Sequence, residues 1–188
     1  MPIVRIPVHT SLYPRRLDLN VLDGHAVDVA GVLRPDLSRG VVALQIRRGA
    51  RWLTVARALT GRRGNFLVRY VPHRPISERA RLRFDGAADY GPSLRPLGRL
   101  NVYRVALASW YGGGGSLACG GILTSSTMGV ANKTLPCGTL VTLRYQRRIV
   151  RVPVIDRGPY VAGREFDLTE ATKRALGFEG VGTVWSTS

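Results

Sequence analysis

The sequence predicts a mainly-β protein in two parts: an antiparallel β-sandwich over residues 1–104, then a small β-barrel with one short helix over residues 105–188. Three observations carry this. Period-two alternation recurs through the first part, with Gly, Arg-Gly or Pro breaks about every ten residues. A break marked by Pro92, Pro96 and Gly98 precedes a second set of strand patterns. A single helix is well marked, close to the C-terminus.

The elements follow in order. IVRIPVH and RRLDLNVL are the first candidate strands. HAVDVAGVL alternates at Val27, Val29 and Gly31, and GVVALQIRR at Val42, Leu44 and Ile46. RWLTVARAL, GNFLVRYVP and ERARLRFDG complete about seven strands, the number expected of a small sandwich. No Cys…Trp…Cys set is present, so the sandwich is expected to be immunoglobulin-like in architecture only, with Trp52 in its core or on a sheet surface. NVYRVALASW is a strand pattern that crosses the boundary near Arg104, so the last sandwich strand is expected to run almost directly into the second part. There, GTLVTLRY and RIVRVPVID are strands. Thr169 caps a helix over TEATKRAL, Gly177 stops it, and TVWST is the closing strand.

Composition bounds the rest. The 188 residues are 45% hydrophobic, enough for a real core. The formal charge is +16. The first part carries 19 Lys+Arg against 7 Asp+Glu, a net +12, and the second nine against five, a net +4. Such a surface favours anionic partners, among them an acidic wall polymer. The basic residues are scattered, with no basic helix, zinc-finger spacing or aromatic RNA-binding signature, so no nucleic-acid partner is expected. Cys119 and Cys137 have no nearby His and do not make a zinc site. A disulfide in an oxidising compartment is the expected state; two buried free thiols are the alternative. No apolar run approaches the roughly 20 residues of a membrane helix. MPIVRIPVHT lacks the apolar core of an export signal, which is therefore expected to have been removed or to lie upstream.

Three of the five acids after residue 104, namely Asp156, Glu165 and Asp167, fall within twelve residues. The segments around them, ASWYG, ACG, GVANKTLPCGTLVTLRY and VPVIDRGPYVAGREFDLTEATKRALGF, occur in a fixed order. Together they resemble the rare-lipoprotein-A (RlpA-like) double-psi β-barrel family, over about Ala108 to the C-terminus. The Cys pair resembles a secreted, actinobacterial-type subgroup in which these positions are bridged. The resemblance implies a six-stranded double-psi barrel in a secreted cell-envelope protein. It implies binding to peptidoglycan glycan strands and to anionic wall polymers, and a monomer without metal or cofactor. It also implies a lytic transglycosylase, in which the sugar's own C6 hydroxyl attacks and one well-placed carboxyl can suffice.

By the same resemblance, Asp156 and Asp167 lie in the substrate groove as catalytic acids. Asp167, between Phe166 and Leu168, is expected to be the proton donor, and Asp156 its partner. On residue type alone both are turn or helix caps. Ser109, Tyr111, Asn132, Arg157 and Tyr160 are the substrate-binding candidates. Alternation sends Ser109 and Tyr111 to one face and Trp110 to the other. Glu165 is expected to be a solvated charge offsetting Arg164. The chain departs from the pattern of active relatives at two places. Asn132 stands where many carry a His, and residues 105–155 hold no Asp or Glu, where some carry another acid. The alternative is a non-catalytic, expansin-like wall-binding module. At the level of sequence both stay open.

Overall fold

Alternation determines which side chains go inward. In Val27–Arg34, Val27 and Val29 are buried and the intervening Asp28 is half-exposed; in Ile76–Phe84, Ala80, Leu82 and Phe84 are buried between arginines. The computed structural model describes residues 6–188. It divides into one unit of Met1–His73 with Ser77–Asn101, and a second of Arg74–Ile76 with Val102–Ser188.

The first unit contains β1 (Ser11–Leu17), β2 (Asn20–Leu22), β3 (Val27–Arg34), β4 (Val41–Arg48), β5 (Arg51–Leu59), β6 (Asn65–Tyr70), β7 (Ile76–Phe84) and the beginning of β8 (Ser93–Tyr111). One antiparallel sheet runs β1-β3-β6. The other strands run in the order β5-β4-β7-β8, with β2 also on β8. Two expectations at the start are corrected. Of IVRIPVH, residues 3–5 lie outside the described residues. From Ile6 to His9 there is no strand, only a bridge from Val8 to Tyr90, because Pro7 lacks the N–H a ladder needs. The first strand is SLYPRRL, which Pro14 disguises. Proline is tolerated there because β1 is an edge strand whose register shifts between Pro14 and Arg16. RRLDLNVL divides between β1 and β2 at a turn where the Asp18 carboxylate accepts from the Asn20 N–H at 3.0 Å.

The second unit continues β8 and adds β9 (Gly115–Ser116), β10 (Ile122–Leu123), β11 (Val130–Ala131), β12 (Leu140–Tyr145), β13 (Arg148–Asp156), β14 (Phe166–Thr169), α1 (Glu170–Leu176) and β15 (Gly182–Ser186). The order β14-β11-β13-β12-β15-β8 is closed by a parallel pairing of β14 back onto β8. This makes a closed barrel of six strands with one short helix. Ala106, Val130, Leu143, Val154, Phe166 and Leu176 are among the side chains that fill it. The helix behaves as its sequence predicts. Thr169 accepts from the Thr172 N–H, and Gly177 at φ 69° provides the left-handed C-cap. The strands at β11 and β14 were not legible, since two and four residues are too few to show a period.

Cys119 and Cys137 are bridged, with Cα atoms 5.6 Å apart. Closing a loop of 18-residue separation stabilises the fold by about 3 kcal/mol in the chain-entropy model. The double variant C119S/C137S is expected to lose roughly that amount in urea unfolding of the barrel, with its far-ultraviolet spectrum retained. No change in midpoint would show that the bridge does not constrain the fold.

Candidate functional site

Strand register builds the site. Ser109 on β8 pairs with Asp167 on β14, Asp167 pairs with Ala131 on β11, and Ala131 pairs with Asp156 on β13. Four consecutive strands thus place these residues in one row. The two carboxylates flank a single methyl side chain, two interstrand spacings or about 10 Å apart along the backbone. Asp167 lies between core residues Phe166 and Leu168, so alternation turns it out of the barrel. Asp156 needs a further device. Val152 and Val154 are core residues, and strict alternation would carry Asp156 inward as well. Between Val130 and Ala131, however, β11 takes one step while β13 takes two, through Ile155. Such an irregularity resets the phase and re-aims the next side chain. Gly129 permits it: a Cβ there would meet the Ile155 side chain at 2.4 Å.

The polar contacts then define the roles open to each residue. The Ser109 hydroxyl, on a residue only 4% exposed, donates to Asp167 Oδ1 and accepts from Arg164 Nη1 at 3.3 Å. Asp156 Oδ1 accepts two backbone N–H groups, from Ala118 at 2.9 Å and Arg157 at 2.8 Å. The Tyr111 hydroxyl is buried. It lies near Asp156 but closes no hydrogen bond of good geometry among the described residues. Burial, then the charge of Asp156 and its proximity as an acceptor, then the charge of Asp167, push its ionisation well above the ordinary tyrosine range. Tyr111 is therefore a neutral, unpartnered donor beside two carboxylates.

Of the residues singled out from sequence, the fold brings Ser109, Tyr111, Asp156 and Asp167 together. Asn132 and Arg157 lie beside them but turn to the loop that follows β11. The Asn132 amide donates to the Glu165 carbonyl at 3.0 Å, and its oxygen accepts from the Thr134 and Leu135 N–H groups at 3.0 and 2.8 Å. Arg157 Nη1 donates to the carbonyls of Asn132 and Leu135, and its Nη2 lies 3.2 Å from Cys137 Sγ. Both side chains brace the backbone that carries the disulfide. Tyr160 is 83% exposed on the loop after β13. The expected pairing of Glu165 with Arg164 is corrected: Glu165 makes a two-pronged ion pair with Arg104, at 2.9 and 2.5 Å. Arg164 instead reaches Ser109, while Glu165 turns to Arg104. Arg164 was the residue missed, because its partner Ser109 lies 55 residues away in sequence. Among the described residues no group of three or more His, Cys, Asp or Glu is placed to hold a metal ion. No helix among them is long and apolar enough to cross a membrane.

Residues 104–185 match the family model described as "Lytic transglycolase". The match supports an RlpA-like double-psi β-barrel in the second unit. The "Probable endolytic peptidoglycan transglycosylase RlpA" of Aquifex aeolicus is 41% identical over 80 residues, which cover 40% of this chain and 35% of the relative. The protein of the same description from Synechocystis is 34% identical over 109 residues, 50% of this chain and 34% of the relative. The "Endolytic peptidoglycan transglycosylase RlpA" of Pasteurella multocida is 39% identical over 85 residues, 42% and 29% respectively. The chain spans about a third of the length of these curated relatives.

Two outcomes are expected of this RlpA-like barrel. Asn132→Ala leaves the Thr134 and Leu135 amides and the Glu165 carbonyl without their partner. It should destabilise the barrel by about 1–3 kcal/mol in urea unfolding. Asn132→His should do much the same, because an imidazole cannot accept two amide bonds while donating a third. Tyr111→Phe removes a buried hydroxyl that has no partner, and should leave the thermal midpoint unchanged or raised. A clear fall would mean that the hydroxyl helps to hold the fold.

Proposed function

We propose that this is a cell-envelope protein in which an immunoglobulin-like sandwich, residues 1–104, precedes an RlpA-like barrel, residues 105–188. The barrel binds peptidoglycan glycan strands and cleaves them as a lytic transglycosylase. The observation that carries the proposal is the row Ser109, Asp167, Ala131 and Asp156, two carboxylates on one face across a small residue. The names of the relatives supply the substrate class. The disulfide supports a location outside the reducing cytoplasm.

The hydrogen bonds support a division of roles. Ser109 can donate to a carboxylate or accept from a carboxylic acid, so Asp167 keeps its partner in either protonation state. That suits a group which gives up a proton and later regains it. Backbone N–H groups can only donate, so Asp156 Oδ1 is fixed as an acceptor, which suits a negative charge held beside an oxocarbenium-like centre. Asp167 protonates the bridging oxygen as the bond from the anomeric carbon breaks. The C6 hydroxyl of the same sugar attacks that carbon, and its proton returns to Asp167. The product is a 1,6-anhydro sugar, and no water is consumed. Tyr111 offers its free donor to a sugar hydroxyl, and Tyr160 stacks on a ring at the rim. Asn132 and Arg157 act through the loop they brace.

One observation favours a second reading, an expansin-like module that binds the wall without cutting it. At the position where many active relatives carry a His, the Asn132 amide is committed to backbone. Purified sacculi separate the two. The natural protein should release 1,6-anhydro-muropeptides, and Asp167→Asn should lower that release by about 10² to 10⁴ while binding persists. Asp156→Asn should impair release less. An absence of anhydro product from the natural protein, with binding weakened by Asp167→Asn, would replace the enzyme by the binding module.

A further inference from the structure

The first unit holds a cavity of about 510 Å³ that the barrel's chemistry does not use. Its walls include Trp52, Arg79, Arg81, Leu94, Pro96 and Arg99. The volume is within the roughly 300–1,000 Å³ of ligand sites. Its arginines follow from strand geometry. Along β7, Ala80, Leu82 and Phe84 face the core, so Arg79, Arg81 and Arg83 share the outer face.

Arg81 is held in place by neutral groups. Its Nε donates to Gln45 Oε1 at 2.8 Å. Gln45, 6% exposed, is itself fixed by its amide donating to Thr54 Oγ1 at 3.0 Å. These three residues are directly paired across β7, β4 and β5. The guanidinium lies over the Trp52 ring, 4.0 Å from its centroid. Burial, and then the charge of Arg83, weaken its hold on its proton. Arg99 is anchored through Nη1 to the Ser77 carbonyl at 2.6 Å. Among the described residues, Arg79 and Arg81 form no ion pair, whereas Arg83 is neutralised by Asp85. Leu94, 56% exposed, and Pro96 add an apolar part to the lining. Guanidinium groups beside an exposed apolar surface suit a ligand whose ring has an apolar C–H face and an attached oxyanion.

We propose that this cavity is a second carbohydrate site, which takes an acidic glycan unit with its ring against Leu94 and Pro96 and its carboxylate or phosphate on Arg79, Arg81 and Arg99. The proposal rests on the cell-envelope reading only for the natural source of that glycan. The site is separate from the row of carboxylates and needs no cleavage.

Titration calorimetry on the full chain tests it, with trigalacturonate and phosphorylated maltotriose as acidic probes, and maltotriose and tripolyphosphate as controls. At least one acidic sugar should bind, and the tighter of the two identifies the oxyanion. Maltotriose should bind at least about tenfold more weakly, since a charge-assisted hydrogen bond contributes at least as much as a factor of ten. Arg79→Gln and Leu94→Ser, both at exposed positions, should each weaken the acidic sugar, Arg79→Gln by about tenfold. Asp167→Asn should leave its affinity unchanged. The proposal is overturned if neither acidic sugar binds, or if affinity ignores both cavity substitutions. It is equally overturned if tripolyphosphate binds as well as the sugars and Leu94→Ser has no effect, since the cavity would then hold any anion. Loss of the transglycosylase reading in the sacculus experiment would leave these outcomes untouched.

Discussion

The barrel unit depends on one pairing, the parallel contact of β14 with β8. Without it the six strands form an open sheet with two unpaired edges, and the core from Ala106 to Val184 has a side open to water. The same pairing sets Asp167 opposite Ser109. Closure and site assembly are therefore a single event: the residues that end the sheet's edges are those that meet the proposed substrate. Phe166 and Leu168 anchor the pairing from the inside, with Asp167 between them facing out.

A second constraint holds the loops around that seam. The disulfide, the Asn132 amide and the Arg157 guanidinium converge on the backbone from Asn132 to Cys137. Arg157 immediately follows Asp156, so the brace and the carboxylate share one backbone segment. Gly129, at the other end of β11, makes room for Ile155 where the phase changes. The fold thus invests polar side chains in positioning Asp156, while the Tyr111 hydroxyl is left without a partner. A buried donor without a partner is unfavourable for folding and available for binding.

Charge is distributed by the same logic. In the barrel, arginines mostly serve the fold. Arg104 pairs with Glu165, Arg174 with Glu170, and Arg157 with carbonyl groups. In the first unit, Arg79 and Arg81 stand on an outer strand face without a carboxylate, although Arg69 and Arg83 have theirs. The net charge of the chain conceals this difference, because it counts a neutralised guanidinium and an available one alike.

Much of this was legible without coordinates. Strands longer than about six residues announced themselves by period two, because burial on one face leaves a pattern wherever several residues share it; β1 is the exception, where Pro14 interrupts the pattern. The helix was read to its caps, since Thr169 and Gly177 act locally. Asp156, Asp167, Ser109 and Tyr111 were legible as candidates through ordered motifs, and the cysteines as a pair. The tertiary structure alone decided the rest. The two-residue β11 and four-residue β14 exist because distant strands accept them, and no local period encodes that. The turn of Asp156 toward Asp167 depends on a register shift between strands, the pairing of Glu165 with Arg104 spans 61 residues, and the commitment of Asn132 to backbone arises from loop geometry. Sequence determines what each residue can do over a few neighbours; which partner it meets across the barrel is determined by closure, which acts on the whole chain at once.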